Sequence, residues 1–308
     1  MGRLDRVSAQ AWSVCGASVI GSAHVRRSVE NQDAFRCGAC PETPVAVVAD
    51  GHGAAEYVRS ATGARLAADL LAAELADVGR ADDAHAVHKD LQIVAARFID
   101  RWRTAVLADA AAEPFSAAEQ DALAAQAGRP EEVAVRAYGT TVLGVCVAAG
   151  WVRAVAIGDG DVGCVDAAGG HRTLCPQPAA IGVQTDSLAA DDPYAAVRTD
   201  ACPADDIVAV WACTDGFSTA QADPGWRGLV GGQLRGMLAT RTAAEIEADL
   251  DGWLAPAAAV GDDTTMVLVL RDEFGDRPPR DGEPKRYDLL APTVPPRERR
   301  RRALWRRL

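Results

Sequence analysis

Four apolar runs in this sequence are bounded by an aspartate beside a glycine: VVADGHG at 47–53, AVAIGDGD at 154–161, VWACTDGF at 210–217 and VGDDTTMVLV at 260–269. One such junction is a turn, because Asp and Gly are what turns use. Four of them, from segments far apart, point to strands whose acidic ends share one edge. A fifth stretch, ENQDAF, adds Glu30 and Asp33 just before a phenylalanine.

The runs between these acids limit the architecture. Residues 11–21 and 45–49 are short, β-branched and closed by glycine, and predict strands. Residues 54–79 predict a long helix ending at Gly79. A second helix is expected over 82–112, with Val94, Phe98, Trp102 and Val106 on one apolar face. Residues 113–137 read as a short helix and a loop. Strands resume at 139–150, 151–161 and 162–166, with hairpin character at Ala149-Gly150. Residues 175–206 are rich in Pro, Asp and Ala and predict an irregular excursion. A strand at 207–217, helices at 226–239 and 242–254, and a strand at 262–270 complete the order. Strands that follow one another directly pair antiparallel, and the helices come in pairs. The pattern predicts an α+β fold of two packed, mainly antiparallel sheets with helices outside, not a doubly wound parallel sheet.

A chain of 308 residues with 49% hydrophobic but only 5% aromatic residues must build its core from Ala, Val and Leu. No apolar run approaches the roughly 18 residues of a membrane span. The stretch MGRLDRVSAQAW lacks an apolar signal core, so a cytoplasmic location is expected. The eight cysteines stand singly except Cys37 and Cys40 in CGAC, and read as small core residues in a reducing compartment. Net charge is −11, yet residues 296–308 carry seven Arg and one Glu, leaving −17 on the rest. So acidic a body is a poor nucleic-acid binder and suits a site that gathers divalent cations. Residues 1–272 are expected to form the folded domain and 273–308 a Pro- and Arg-rich disordered tail. That tail suits contact with an anionic partner.

Convergent carboxylates repel unless cations neutralise them. Oxygen ligands without His or thiolate select Mg²⁺, Mn²⁺ or Ca²⁺ over zinc. Two such ions suit the activation of a water for in-line attack on a phosphoryl group. His52, two residues beyond Asp50, is placed to protonate a leaving oxygen.

In this order, NQDAF, VVADGHG, GTT, GDGD, CTDGF and GDDTTMVLV resemble the motifs of the metal-dependent, type 2C Ser/Thr protein phosphatases, over about residues 10–271. The resemblance implies a four-layer αββα sandwich with a binuclear Mg²⁺ or Mn²⁺ centre. It implies hydrolysis of phosphoserine and phosphothreonine by a metal-activated water. Carried over, Asp50 bridges both metals, Gly51 lends its carbonyl oxygen, and Asp215 and Asp262 ligate the first metal. Asp33 orients waters, His52 is the general acid, and Asp159 serves a third, weaker metal. Asp263 stands in place of the usual Asn, behind the ligands, and Gln32 where many members carry Glu. Asp161 replaces an Arg common after the GDS motif, which predicts a more acidic third-metal corner.

The main departure is the phosphate clamp. The family's Arg stands five residues before the aspartate of NQD, where this chain has Ser28. Arg27 and Arg26 are the candidates, with His24 a third. Read as a strand, the segment would turn Arg27 to the opposite face unless a bulge or extra loop residue intervenes. Two functions therefore remain in view. One is an active phosphatase acting on phosphoproteins, with a Ser/Thr kinase or its targets as partners. The other is a weak or inactive relative that binds a phosphoprotein or kinase as a regulatory module. A scaffold recruited through its basic tail is a third reading.

Overall fold

The structure, a computed structural model, describes residues 12–40, 43–177 and 186–274. The chain opens with β1 (Trp12–Val19), a short helix α1 (Ser22–Arg27), β2 (Asp33–Cys40) and β3 (Thr43–Asp50). Four helices follow: α2 (Ser60–Ala76), α3 (Ala84–Ala112), α4 (Ala117–Leu123) and α5 (Pro130–Arg136). Six strands come next: β4 (Val142–Ala148), β5 (Trp151–Ile157), β6 (Asp161–Asp166), β7 (His171–Leu174), β8 (Arg198–Pro203) and β9 (Ile207–Cys213). The chain closes with α6 (Asp215–Ser218), α7 (Trp226–Leu238), α8 (Ala243–Ala258) and β10 (Thr264–Arg271).

Two five-stranded antiparallel sheets result, ordered β1-β10-β9-β6-β7 and β2-β3-β4-β5-β8. Three apolar layers glue them together. Leu71, Phe98 and Trp102 of α2 and α3 pack on the β2–β8 sheet, Val48, Val145, Val210 and Val267 fill the space between sheets, and Leu234 and Leu250 of α7 and α8 cover Trp211 and Leu268. This is the expected αββα sandwich. Strand β3 shows why its sequence is continuously apolar. Val45, Val47 and Ala49 face the helices while Ala46 and Val48 face the other sheet, so both faces are dry.

Several boundaries differ from expectation for identifiable reasons. The helix expected from 54 begins at Ser60, because His52 N–H donates to Gly139 O and Arg59 N–H to Ala137 O. Those bonds hold residues 52–59 along the 137–139 segment instead of letting them wind. Strand β2 went unread, since DAFRCGAC is largely small residues with no β-branched run. The 175–206 excursion contains β8, an edge strand, while residues 178–185 lie outside the described set. The expected Ala149-Gly150 hairpin forms with both residues at positive φ, joining paired strands β4 and β5. Strands β5 and β6, though consecutive, belong to different sheets, so the chain crosses the sandwich at Gly158-Asp159-Gly160.

The expected tail, 273–308, lies outside the described residues from 275 on, while its first two residues belong to a short 3-10 turn, Asp272–Phe274, whose Phe274 packs on the core under α7 and α8. Cys37 is exposed and Cys40's side chain lies outside the described set, while six other cysteines are buried and free. Among the described residues no helix is long and apolar enough to cross a membrane.

Candidate metal centre and phosphate site

Antiparallel pairing explains why the acids meet. Asp33 starts β2 and Asp50 ends β3, and the two stand opposite each other in register. Asp159 lies in the crossing between sheets, Asp215 begins α6 two residues past the end of β9, and Asp262 stands two residues before β10. Strand starts and ends alternate along a sheet edge, so all five fall at one end of the sandwich. There a cavity of about 210 Å³ is lined by Asp50, Asp159, Asp215, Asp262, His52 and Arg27, with His24, Gln32 and Gly51 beside them.

Close backbone approach makes this possible. A Cβ on Gly216 would sit 1.8 Å from the Asp263 carbonyl oxygen, so the TDG turn admits only glycine. Gly158 has φ +111, and a Cβ there would meet Thr141 Cβ at 2.4 Å. Gln177 Nε2 donates to the Asp159 and Gly160 carbonyls and Arg198 to the Gly158 carbonyl, which pins the crossing.

The carboxyls crowd one another. Burial first, then the charges of Asp33 and Asp215, drive Asp50 well above the ordinary carboxylate range. Burial pushes Asp33 up to about 8, against the pull of two threonine hydroxyls, with Asp263 and Asp262 adding to the rise. Asp215 is raised to about 6 by burial, with Asp50 beside it opposing and Asp159 and Asp262 reinforcing. These acids resist ionising together without positive charge among them. Among the described residues no three His, Cys, Asp or Glu side chains stand close enough around one point to grip an ion as they are. The donor set nonetheless fits a hard divalent cation: carboxylates only, mutually repelling, on a cavity large enough for ions and waters.

Asp33 is held by two hydroxyls. Its Oδ2 accepts from Thr214 Oγ1 at 2.9 Å, just past β9, and from Thr265 Oγ1 at 2.6 Å on β10. The threonines in CTDG and DDTT carry this support, and sequence reasoning passed over them. His52 donates its backbone N–H to Gly139 O, and its ring packs 4.8 Å from the Tyr57 ring. Burial lowers the His52 pKa, with Asp159 and Glu56 acting in the opposite direction.

The clamp region is a helix, which corrects the strand reading of residues 22–28. Ala23 N–H donates to Gly261 O at 2.8 Å and Ser22 Oγ to Ala259 O at 3.1 Å, nucleating α1, and Ser28 at φ 54 ends it. No bulge is therefore needed to bring Arg27 to the cavity wall. Arg26 stays outside the lining and donates instead to Ser22 Oγ. His24 is buried, its Nδ1 2.7 Å from Asp263 Oδ2. Asp263 also accepts the N–H groups of Gly21 at 2.6 Å and Gln32 at 2.7 Å. One buried carboxylate thus ties α1 and the NQD segment to the start of β10. Asp161 adds to the rise at Asp215, in line with the acidic corner expected, but it is not a bare charge. Arg227 of α7 donates to its Oδ1 at 2.7 Å and supplies the missing positive charge.

A family model described as Protein phosphatase 2C matches residues 20–255. The chain belongs to the protein phosphatase 2C family. By that membership it is a protein-serine/threonine phosphatase. Solved phosphatase structures share the fold at low identity. A bacterial serine phosphatase superposes with TM-score 0.57 at 12% identity, over 86% of this chain and 99% of that one. Serine/threonine phosphatase Stp1 from Staphylococcus aureus gives 0.55 at 12% identity, over 88% and 98%. The Mycobacterium tuberculosis serine/threonine phosphatase PstP/Ppp gives 0.50 at 15%, over 85% and 99%. No match is found among curated protein sequences.

Proposed function

We propose that this chain hydrolyses phosphoserine and phosphothreonine in proteins at a binuclear Mg²⁺ or Mn²⁺ centre. Asp50, the Gly51 carbonyl, Asp215 and Asp262 would hold the ions, with Asp159 available to a third. Bound there, the ions supply positive charge to the phosphoryl oxygens and make water more acidic. The observation that supports this reading is the single cavity onto which Asp50, Asp159, Asp215, Asp262, His52 and Arg27 project from separate segments.

The chain's own groups divide the remaining work. Arg27 binds phosphate oxygens as a fixed cation with planar donors. Asp33 keeps Oδ1 for the attacking water, because Oδ2 is taken by Thr214 and Thr265. His52 gives a proton to the leaving serine or threonine oxygen. Burial makes its imidazolium a stronger acid, while Asp159 and Glu56 favour the protonated form that has to donate. The phosphoprotein is the partner this chemistry requires, and a cytoplasmic setting agrees with its free buried thiols.

The test is hydrolysis of a phosphothreonine peptide with and without Mn²⁺, by wild type and Asp215→Ala. Mn²⁺-dependent turnover lost in the variant supports the enzyme. Calorimetric Mn²⁺ binding without turnover overturns it in favour of a phosphoprotein-binding module.

A further inference from the structure

A second, larger cavity opens on the far side of His52. It encloses about 590 Å³ and is lined by His52, Glu56, Tyr57, Arg136, Ser187 and Asp191, and it shares His52 and Gly53 with the acidic cavity. The position matters because of what His52 does in the reading above, on which this inference rests. A group that protonates the leaving oxygen faces the side on which the substrate polypeptide departs. The chain on either side of the phosphorylated residue therefore runs into this second cavity. A residue two positions away lies about 7 Å along an extended strand, within reach of it.

The lining carries one cation and two carboxylates, and they are not equally available. Arg136 donates to Gln126 Oε1 at 3.1 Å and to Ala127 O at 3.0 Å, and its Nη2 lies 3.7 Å from Asp191 Oδ1. Its guanidinium is thus committed to the walls. Glu56 makes no hydrogen bond or ion pair among the described residues, and it is half-buried beside Tyr57. Among the described residues Asp191 is held only by that long contact, and its side chain is 94% exposed. The Tyr57 ring, packed on His52, offers an apolar wall for an alkyl stem or a face for a cation.

We infer that this cavity is a substrate subsite for a lysine or arginine side chain within two residues of the phosphoserine or phosphothreonine, with Glu56 as its principal ligand. The subsite makes the enzyme selective for phosphosites in basic surroundings. An acidic neighbour would meet Glu56 and Asp191 at close range, which like charges disfavour.

The test compares two phosphothreonine peptides, identical except for Arg or Glu at the two positions on each side, with the full-length Mn²⁺-loaded protein. Each variant is judged by its own ratio of kcat/KM for the Arg peptide over the Glu peptide, so a loss of folded enzyme cancels. The expected wild-type ratio is about tenfold, shrinking in Glu56→Gln and falling below one in Glu56→Arg. A wild-type ratio within about twofold of one, or an unchanged ratio in Glu56→Arg, overturns the subsite. Hydrolysis of p-nitrophenyl phosphate, which has no flanking residues, separates the two levels. Wild type that turns it over but does not discriminate refutes only the subsite, whereas no turnover of it removes the phosphatase reading beneath.

Discussion

The two walls of the acidic cavity are built differently. On one wall Asp50 is set by the β2–β3 register, which also places Asp33 opposite it just behind the cavity lining, and Asp215 and Asp262 by the ends of adjoining strands of the other sheet. Many backbone hydrogen bonds share the task of placing them. On the other wall Arg27 rides on six residues of helix, and the helix start is tied down by one buried carboxylate, Asp263, and two carbonyls, those of Ala259 and Gly261. The first wall is a property of the sandwich, and the second is an attachment to it. Substitutions should therefore separate chemistry from substrate capture along this division.

The largest effect belongs to the strand-end wall. Asp50→Asn should lower turnover of a phosphopeptide by about a thousandfold, the several kcal/mol that metal charge contributes. The metal-free protein should stay folded, because the variant removes a crowded carboxyl and leaves the sheets intact. Unfolding of the metal-free variant would show that the two walls are not independent.

Next comes the root of the helix. Asp263→Ala orphans the N–H groups of Gly21 and Gln32 and the buried imidazole of His24. We expect a loss of about 3–5 kcal/mol in urea denaturation, with a raised KM for phosphopeptide. A fall in kcat alone would mean that Asp263 serves the metals rather than α1.

Smaller again is the clamp itself. Arg27→Ala should raise KM about tenfold or more through loss of a charge-assisted phosphate contact, while Arg26→Ala changes it less than about twofold. Equal effects of the two would break the assignment, since only Arg27 lines the cavity.

The smallest effect is a pH dependence of the metal-free protein. Asp33 and Asp215 have folded pKa values raised to about 8 and about 6. The folded state thus holds protons that the unfolded chain has released above about pH 4. That contribution to stability is complete below pH 4 and is lost as pH rises through 6 and then 8. The melting temperature of metal-free protein should fall from pH 5 to pH 8.5, and Mn²⁺ should stabilise most at the alkaline end. A flat profile would mean the acids are less crowded than the cavity indicates.

Much of this was legible in the chain itself. The apolar runs of β3, β4, β5, β9 and β10 are strands because both faces of each are buried, and such runs read clearly in one dimension. The aspartates beside them announce their positions by recurrence, since one Asp-Gly strand end reads as a turn and four together do not. The helices α3, α7 and α8 declare themselves by periodicity in the same way. What only the tertiary structure decided is what depends on contacts between distant segments. Nothing local in GSAHVRRS specifies a helix; the carbonyls of Ala259 and Gly261 and the carboxylate of Asp263 do. Nothing in DAFRCGAC marks a strand until β3 pairs with it. The charge that balances Asp161 comes from Arg227, 66 positions away. Periodicity and punctuation are carried by neighbours along the chain, whereas a cap, a pairing or a counter-charge belongs to whichever segment the fold brings alongside.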